Sequence, residues 1–470
     1  MSILIKNIKE LIQVEENPRL KVSWKEMANL NTIKNAWLLI SGDRIVDFGT
    51  SESTPSPENY EKITRQLANS PARQLAKSPA HQLANSPAHQ LASSPAHQLA
   101  KSPAHQLASS PAHQLKIIDA TGKFVFPSFC DSHTHLVYSG SREIEYIDKI
   151  KGLSYEEIAK RGGGILNSAK RLHEASEEEL TEQALSRLNE IRMLGTGAVE
   201  IKSGYGLSVE DELKMLRVIR RLKELSPLAI VATFLGAHAV PAEYKGRQEE
   251  FVDLVINEMI PQIAAEGLAD YIDVFCDHGF FTPVETDRML LAGMKYGLRP
   301  KIHVNELGYS GGIQVGVKYN ALSVDHLEYT GDEEIKFLLG SETMPTILPG
   351  ASFFLGLQHA PVRKMMDAGL PVAMASDFNP GSSPSANMQF ILSLACINYR
   401  MLPEEAIHAV TINSAYAMGL SEDYGSIARG KKANLFITKP ISSYQFMPYA
   451  YGSNKVETVI LNGNIVTRNA

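Results

Sequence analysis

Cysteines, long apolar runs and an excess of one charge are all scarce in this chain of 470 residues. Its three cysteines, Cys130, Cys276 and Cys396, are far apart and odd in number, which argues against a disulfide framework. No run of about 18 uncharged apolar residues occurs, so no membrane-spanning helix is predicted. The first twenty residues lack the apolar core of a signal peptide. These absences predict a cytoplasmic protein with reduced thiols.

The charge is nearly balanced, with 46 lysines and arginines against 52 acidic residues. The two signs are interspersed, and no basic stripe of the kind that binds nucleic acid is present. An apolar content of 44% allows a large buried core. We therefore expect a globular protein that acts on a small molecule and has neither nucleic acid nor membrane as a partner.

A repeat occupies residues 66–113, where an eight-residue unit of the form Q-L-A-x-S-P-A-[HR] occurs six times. A proline every eighth residue is incompatible with a long helix, so a low-complexity insert is predicted here. Five of the 14 histidines lie in this insert. A metal-storage tract is the alternative, but repeat expansion alone explains their regular spacing.

Both ends of the chain have the alternation and turn signals of β-strands. Asn462-Gly463, in particular, is a strong hairpin signal. The segments concerned are residues 36–49, 116–125, 433–438 and 456–466. They predict one small β-sandwich domain built from residues 1–126 and 431–470, with the insert at residues 66–115.

The middle of the chain, residues 127–430, alternates short apolar strands with amphipathic helices such as Val209–Glu224, Gln248–Glu266 and Pro283–Tyr296. The predicted strands are Val125–His133, Ala198–Ser203, Ile230–His238, Tyr271–His278, Pro300–Glu306, Ala321–Leu327, Pro345–Pro349 and Val372–Asp377. Eight such units in about 300 residues favour a closed α/β fold, a (β/α)8 TIM-like barrel. An open, doubly wound parallel sheet is the alternative.

Polar side chains interrupt the ends of several predicted strands, where a barrel of this type carries its active site. They are His133, His135, His303, His326 and Asp377. His133 and His135 are two apart on one strand, so both imidazoles can reach one ion at about 2.0 to 2.1 Å. Singly, each histidine could be a core residue and Asp377 a helix N-cap. At matching positions on one rim, they predict a metal site.

This arrangement resembles the amidohydrolase superfamily, in which a His-x-His on strand one combines with histidines on strands five and six and an aspartate on strand eight. The tail Gly425–Leu435 also resembles that superfamily's return strand. More narrowly, the chain is similar to the imidazolonepropionase family. The motifs that carry this similarity are His133–Val137, Gly140–Arg142, Ile201–Gly206, Leu235–His238, His303–Glu306 and Ser376–Pro384.

The resemblance implies a role for each matching residue. It implies metal ligands at His133, His135, His303 and Asp377, and catalytic groups at Glu306, His326 and Asp377. It implies substrate contacts from Arg142, Tyr205, His238, Glu306, Asn379, Gly381 and Ser382. It also implies a homodimer.

The number of metal ions follows from strand four. Many members with two metals carry a carboxylated lysine there, whereas this chain has Phe275-Cys276-Asp277-His278. Lys202 ends strand two instead. One ion per chain is therefore implied, zinc or iron, since both accept imidazole and carboxylate ligands. The effect of Asp277 and His278 on the site stays open at this stage.

The implied reaction is hydrolysis of the ring C–N bond of 4-imidazolone-5-propanoate to N-formimidoyl-L-glutamate, a step of histidine degradation. A related deaminase acting on a heterocycle such as guanine or cytosine is the alternative enzyme. Arg142 and the segment 377–381 favour an acidic substrate over a neutral base. An inactive barrel used in assembly is the non-enzymatic alternative, and the complete set of ligand positions argues against it.

The repeat yields the first testable prediction. Because its proline period and small polar residues leave it little to bury, deleting residues 66–113 should leave folding and turnover nearly intact. Thermal unfolding and steady-state assays of the shortened and full chains check this. A large fall in activity would mean that the repeats contact the site.

Overall fold

The computed structural model describes residues 2–55, 115–153, 157 and 163–466. The repeat, and with it the deletion prediction, lies outside these residues. Two β-sheets and the helices around one of them make up the described fold. Within these ranges, no helix has the length and apolar character needed to cross a membrane.

The first sheet combines strands from both parts of the chain flanking the second sheet. With strands numbered along the chain, they are β1 (Ser2–Ile12), β2 (Thr32–Ser41), β3 (Arg44–Thr50), β4 (Leu115–Asp119), β5 (Phe124–Pro127), β15 (Leu435–Thr438), β16 (Val456–Leu461) and β17 (Asn464–Val466). Their order is β17-β16-β15-β5-β1-β2-β3, and β4 also pairs with β1. The sheet is mixed, because β1 pairs antiparallel with β2 and parallel with β4 and β5. We call it the chain-end sheet.

Two tight turns of this sheet are visible in the sequence. Asn462 and Gly463, between β16 and β17, have φ values of 49° and 70°. Asn-Gly suits such a turn because both central residues need a positive φ. Gly42, between β2 and β3, also has a positive φ, of 61°.

The second sheet is the barrel. Its strands are β6 (Phe129–Asp131), β7 (Thr196–Lys202), β8 (Ala229–Ala237), β9 (Tyr271–Cys276), β10 (Arg299–Pro300), β11 (Ile302–Val304), β12 (Ser323–His326), β13 (Met344–Ile347) and β14 (Ala373–Met374). All pairs are parallel, and β10 and β11 are two pieces of one strand position.

Hydrogen bonds beyond the ends of β6 and β14 close this sheet on itself. The Asp377 amide donates to the His133 carbonyl at 3.0 Å, and the His135 amide donates to the Phe378 carbonyl at 2.9 Å. Thr134 and Phe378 form a parallel bridge between them. The predicted (β/α)8 barrel with a β domain from both chain ends is therefore confirmed, and the open sheet is wrong.

Helices surround the barrel, and most lie between consecutive strands. They are α1 (Glu143–Ile150), α2 (Ile165–Glu174), α3 (Glu177–Met193), α4 (Val209–Leu225), α5 (Gln248–Leu254), α6 (Ile260–Glu266), α7 (Pro283–Lys295), α8 (Gly312–Lys318), α9 (Asp332–Leu339), α10 (Pro349–Leu355), α11 (Val362–Asp367), α12 (Met388–Asn398), α13 (Pro403–Val410), α14 (Ile412–Ala417) and α15 (Phe446–Tyr449). A π-turn, Val255–Met259, joins α5 to α6. The predicted helix over 248–266 is therefore continuous but locally wider.

Sequence and structure differ at Ser128. The predicted strand Val125–His133 is two strands, because the Ser128 amide donates to the Asn434 carbonyl and the next amide, of Phe129, donates to Gly195. The chain thus leaves the chain-end sheet and enters the barrel at this residue. A continuous apolar run does not show such a change of partner.

Three aromatic rings hold the two sheets together at this crossing. Phe436 of β15 stacks on Phe126 at 5.1 Å between ring centroids and lies 4.9 Å from Phe129. All three side chains are buried. The ring of Phe436 therefore links the chain-end sheet to the first barrel strand.

We predict that Phe436→Ala lowers the free energy of unfolding by about 3 to 5 kcal/mol, because it leaves a cavity between the two sheets. Urea unfolding followed by circular dichroism measures this. Phe337→Ala is the control, since that ring is 42% exposed and its loss should cost less than about 1 kcal/mol. Equal losses in the two variants would contradict the proposed link.

Candidate active site

The polar strand ends converge at one rim of the barrel. His133 and His135 follow β6, His303 lies in β11, His326 ends β12, and Asp377 follows β14. All five side chains are buried. The parallel sheet brings these strand ends to the same edge, as the sequence predicted.

Four of these side chains surround one point. Asp377 Oδ1 lies 3.5 Å from His133 Nε2 and 3.6 Å from His135 Nε2. His135 Nε2 lies 3.4 Å from His303 Nε2. Four ligands held tetrahedrally at about 2.0 to 2.1 Å from an ion are about 3.3 to 3.4 Å apart. The spacing of these atoms therefore fits one such ion.

The imidazole orientations also fit a metal. His133 Nδ1 is 2.7 Å from Asp325 Oδ2, whereas its Nε2 is buried and has no hydrogen-bond partner among the described residues. His303 Nδ1 lies 3.0 Å from Asp273 Oδ2. A carboxylate at Nδ1 keeps the proton on that nitrogen and leaves the Nε2 lone pair available to an ion. The histidine cluster can thus hold a metal.

A buried ionic cluster supports these carboxylates from inside the barrel. The ammonium group of Lys202 lies 2.7 Å from Glu200, 2.8 Å from Asp273 and 3.7 Å from Asp325. Lys301 also donates to Glu200. Burial opposes the charge on Lys202, but the three carboxylates outweigh it and raise its pKa. Lys202 is therefore a buried cation paired with these carboxylates.

Glu306 and His326 face each other beside the histidine cluster. His326 Nδ1 is 3.7 Å from Glu306 Oε2. Burial, together with the nearby carboxylates of Glu328 and Asp377, raises the pKa of Glu306 well above its ordinary value. A carboxyl group held protonated in this way can donate a hydrogen bond.

Glu328 is a buried acid that the sequence analysis missed. Its Oε2 lies 3.8 Å from His326 Nδ1, and its Oε1 accepts a hydrogen bond of 2.6 Å from Ser352. Burial raises the pKa of Glu328 to about 8. His326 and Leu327 have φ values of 88° and 72°, a strained backbone that turns both residue 326 and residue 328 inward. The spacing of His326 and Glu328 was the available signal.

Asp277 acts on the backbone beside the site. Its carboxylate accepts hydrogen bonds from the amides of Glu306 at 2.7 Å, Leu307 at 3.0 Å and His278 at 2.7 Å. His278 lies against Gly308, where a Cβ atom would approach its ring to 2.3 Å. The motif that departs from the lysine pattern thus fixes the loop that carries Glu306.

A short loop after β14 holds Asp377. Asn379 donates to the Asp377 carbonyl and to Ser382 Oγ, both at 2.6 Å, and Ser382 Oγ donates to Asp377 Oδ2 at 3.2 Å. Burial raises the pKa of Asp377 to about 7. Asn379 and Ser382, predicted as substrate contacts, therefore also position this carboxyl group.

A cavity of about 800 Å³ opens above the cluster. Every predicted site residue lines it except His133, which lies beneath the others. His238 contributes a neutral ring, because burial lowers its pKa to about 3 and Gly204 O lies 3.0 Å from its Nδ1. Arg142 reaches over Gly381, where a Cβ atom would lie 2.1 Å from Nη1. Gly381 is thus required for the guanidinium to occupy this position.

Solved structures show the same fold at low sequence identity. A triazine hydrolase variant has a TM-score of 0.66 and 15% identity, covering 99% of this chain and 94% of that one. Guanine deaminase of E. coli has a TM-score of 0.66 and 14% identity, covering 99% of each chain. These similarities concern the fold alone.

Curated relatives are much closer. Residues 301–466 match the Amidohydrolase family. The imidazolonepropionases of Christiangramia forsetii and Flavobacterium johnsoniae are each 52% identical over 99% of this chain and all of their own length. That of Alkaliphilus oremlandii is 38% identical over 99% of this chain and 98% of its own. The chain therefore belongs to the imidazolonepropionase family of amidohydrolases.

Proposed function

We propose that this protein hydrolyses the ring C–N bond of 4-imidazolone-5-propanoate to give N-formimidoyl-L-glutamate. The observation that carries the proposal is one cavity with the cluster of His133, His135, His303 and Asp377 at its base and the Arg142 guanidinium on its wall. The first can activate a water molecule, and the second can bind the propanoate. A heterocyclic base without a carboxylate, as in a deaminase, would leave Arg142 unused.

The residues proposed to hold the metal are His133, His135, His303 and Asp377. One zinc or iron ion per chain is proposed, since both accept imidazole and carboxylate ligands. When bound, the ion supplies a positive charge that makes a water molecule acidic enough to lose its proton near pH 7. The buried carboxylates behind His133 and His303 keep these rings oriented for it.

Asp377 is proposed to move the proton. Its carboxyl group is buried at the base of the cavity, and Ser382 donates to its Oδ2. In this position it can accept a proton from the attacking water and return it to the ring nitrogen that leaves. The Asn379 loop limits its rotation, which keeps the carboxyl group directed at the reacting atoms.

Glu306 and His326 are proposed to bind the reacting ring. A protonated Glu306 can donate a hydrogen bond to the developing oxyanion or to a ring nitrogen. His326 has its pKa lowered by burial and stays neutral, so it can donate one proton and accept another. Both side chains border the same cavity as Asp377.

The remaining contacts select the substrate. Arg142 is proposed to bind the propanoate carboxylate through two parallel hydrogen bonds. Tyr205, His238, Asn379, Gly381 and Ser382 are proposed to enclose the rest of the molecule. The catalytic barrel is assigned to residues 127–430 and the β domain to residues 1–126 and 431–470. A cytoplasmic homodimer is the proposed form of the protein.

Purified protein should consume 4-imidazolone-5-propanoate, measured as the loss of its absorbance, and contain one metal ion per chain by elemental analysis. A chelator should abolish the activity, and zinc or iron should restore it. His133→Ala should lose both metal and activity, because a ligand nitrogen is removed. His173→Ala is the control, since its side chain is 71% exposed and remote in sequence from the ligands. Two ions per chain would contradict the single site.

We predict that Arg142→Met lowers kcat/KM by one to two orders of magnitude and leaves the metal content unchanged. The substitution removes a charge-assisted pair that contributes roughly 1.5 to 3 kcal/mol. The comparison substrate is the propanamide analogue, which has no charge to bind. Steady-state kinetics should show a poor reaction of this analogue with the wild type and no further loss in the variant.

Arg220→Met is the matched control for this change, because its side chain is half exposed. It should leave both substrates unaffected. An equal fall of Arg142→Met toward both compounds would make Arg142 structural and remove the main support for an acidic substrate.

A further inference from the structure

Arg142 does not enter the cavity as an isolated cation. Its Nε and Nη2 both lie against one oxygen of Glu145, at 2.7 Å and 2.6 Å. Glu145 is three residues further along, in α1. Both side chains are about 15% exposed, so the pair is largely shielded from water. One of the two bidentate edges of the guanidinium is therefore already used inside the protein.

The other edge faces the cavity. At Gly381, a Cβ atom would lie 2.1 Å from Nη1, 2.8 Å from Cζ and 3.4 Å from Nη2. The edge formed by Nη1 and Nη2 is thus directed at the loop that also holds Asp377. A carboxylate needs one complete edge of a guanidinium to form two parallel hydrogen bonds. Glu145 decides which edge that is.

Glu145 is itself held in place from a second helix. Its Oε2 accepts a hydrogen bond of 3.0 Å from the Gly164 amide at the start of α2, and its Oε1 accepts one of 3.2 Å from Asn167. Burial opposes its charge, but Arg142 and Gly164 outweigh this and lower its pKa. The carboxylate therefore connects Arg142 to a fixed point of the fold rather than to another mobile side chain.

We propose that Glu145 is a positioning residue that makes the site selective for a carboxylate, because it holds Arg142 with the Nη1–Nη2 edge turned into the cavity. The inference rests on the proposed function of Arg142. It assigns Glu145 no contact with the reacting atoms. Its loss should therefore appear in KM and leave kcat nearly unchanged.

Two effects of removing Glu145 oppose each other. The unpaired guanidinium would attract anions more strongly at a distance, but it would also rotate freely and lose its orientation on binding. The first effect is screened over about 8 Å at physiological ionic strength. The second acts at contact, where the two hydrogen bonds form. Kinetics at physiological salt therefore report the loss of orientation.

The test compares Glu145→Ala with Glu143→Ala, using the propanoate substrate and its propanamide analogue. Glu143 lies on the same helix and accepts a hydrogen bond from Ser141, so it controls for the loss of an acidic residue from α1. Glu145→Ala should raise KM for the propanoate about tenfold and change kcat and the propanamide kinetics less than about twofold. Glu143→Ala should change neither. Thermal unfolding verifies that each variant is folded.

Glu145→Gln carries the same test if the alanine variant unfolds, because it keeps an oxygen for Gly164 and removes the charge that holds the guanidinium. In the Arg142→Met background, loss of Glu145 should have no further effect on KM. An unchanged KM, or an equal fall toward both substrates, would overturn the inference.

The two proposals fail differently. If Arg142→Met discriminates between the substrates and Glu145→Ala does not, the role of Glu145 is wrong and that of Arg142 stands. If Arg142→Met does not discriminate either, the carboxylate site itself is wrong.

Discussion

Closure of the barrel is the constraint on which the site depends. The hydrogen bonds from Asp377 to His133 and from His135 to Phe378 join the first strand position to the last. The same residues carry three of the four proposed ligands. The distances among their side chains are therefore set by backbone pairing, and the carboxylates behind the histidines only refine the ring orientations. A preorganised site of this kind needs little rearrangement when a cation binds.

Much of this could be predicted from the sequence. Short apolar segments ending in histidine or aspartate mark both the strands and the rim, because parallel strands share one direction. His303 and Asp377 were found in this way. The hairpin at Asn462 was visible because that turn needs residues that tolerate a positive φ.

Other features depend on contacts that no local pattern records. Ser128 lies in an uninterrupted apolar run, and only its pairing with Asn434 shows that the chain changes sheets there. Glu145 looks like an ordinary acidic residue of a helix until the fold places Arg142 beside it. Asp277 and Glu328 are similar cases, since burial and partners define their roles. Periodicity identifies elements, whereas side-chain function arises from their assembly.

The arrangement of the chain-end sheet has a consequence for biosynthesis. Strand β5 leads into the first barrel strand, and its antiparallel neighbour β15 is more than 300 residues later in the chain. The ribosome releases β15 to β17 last, so β5 emerges long before its partner exists. Pairing over such a separation is slow, because the loop must close before any contact forms. The nascent barrel must therefore wait, with Phe126 and Phe129 uncovered, until almost the whole polypeptide has been made.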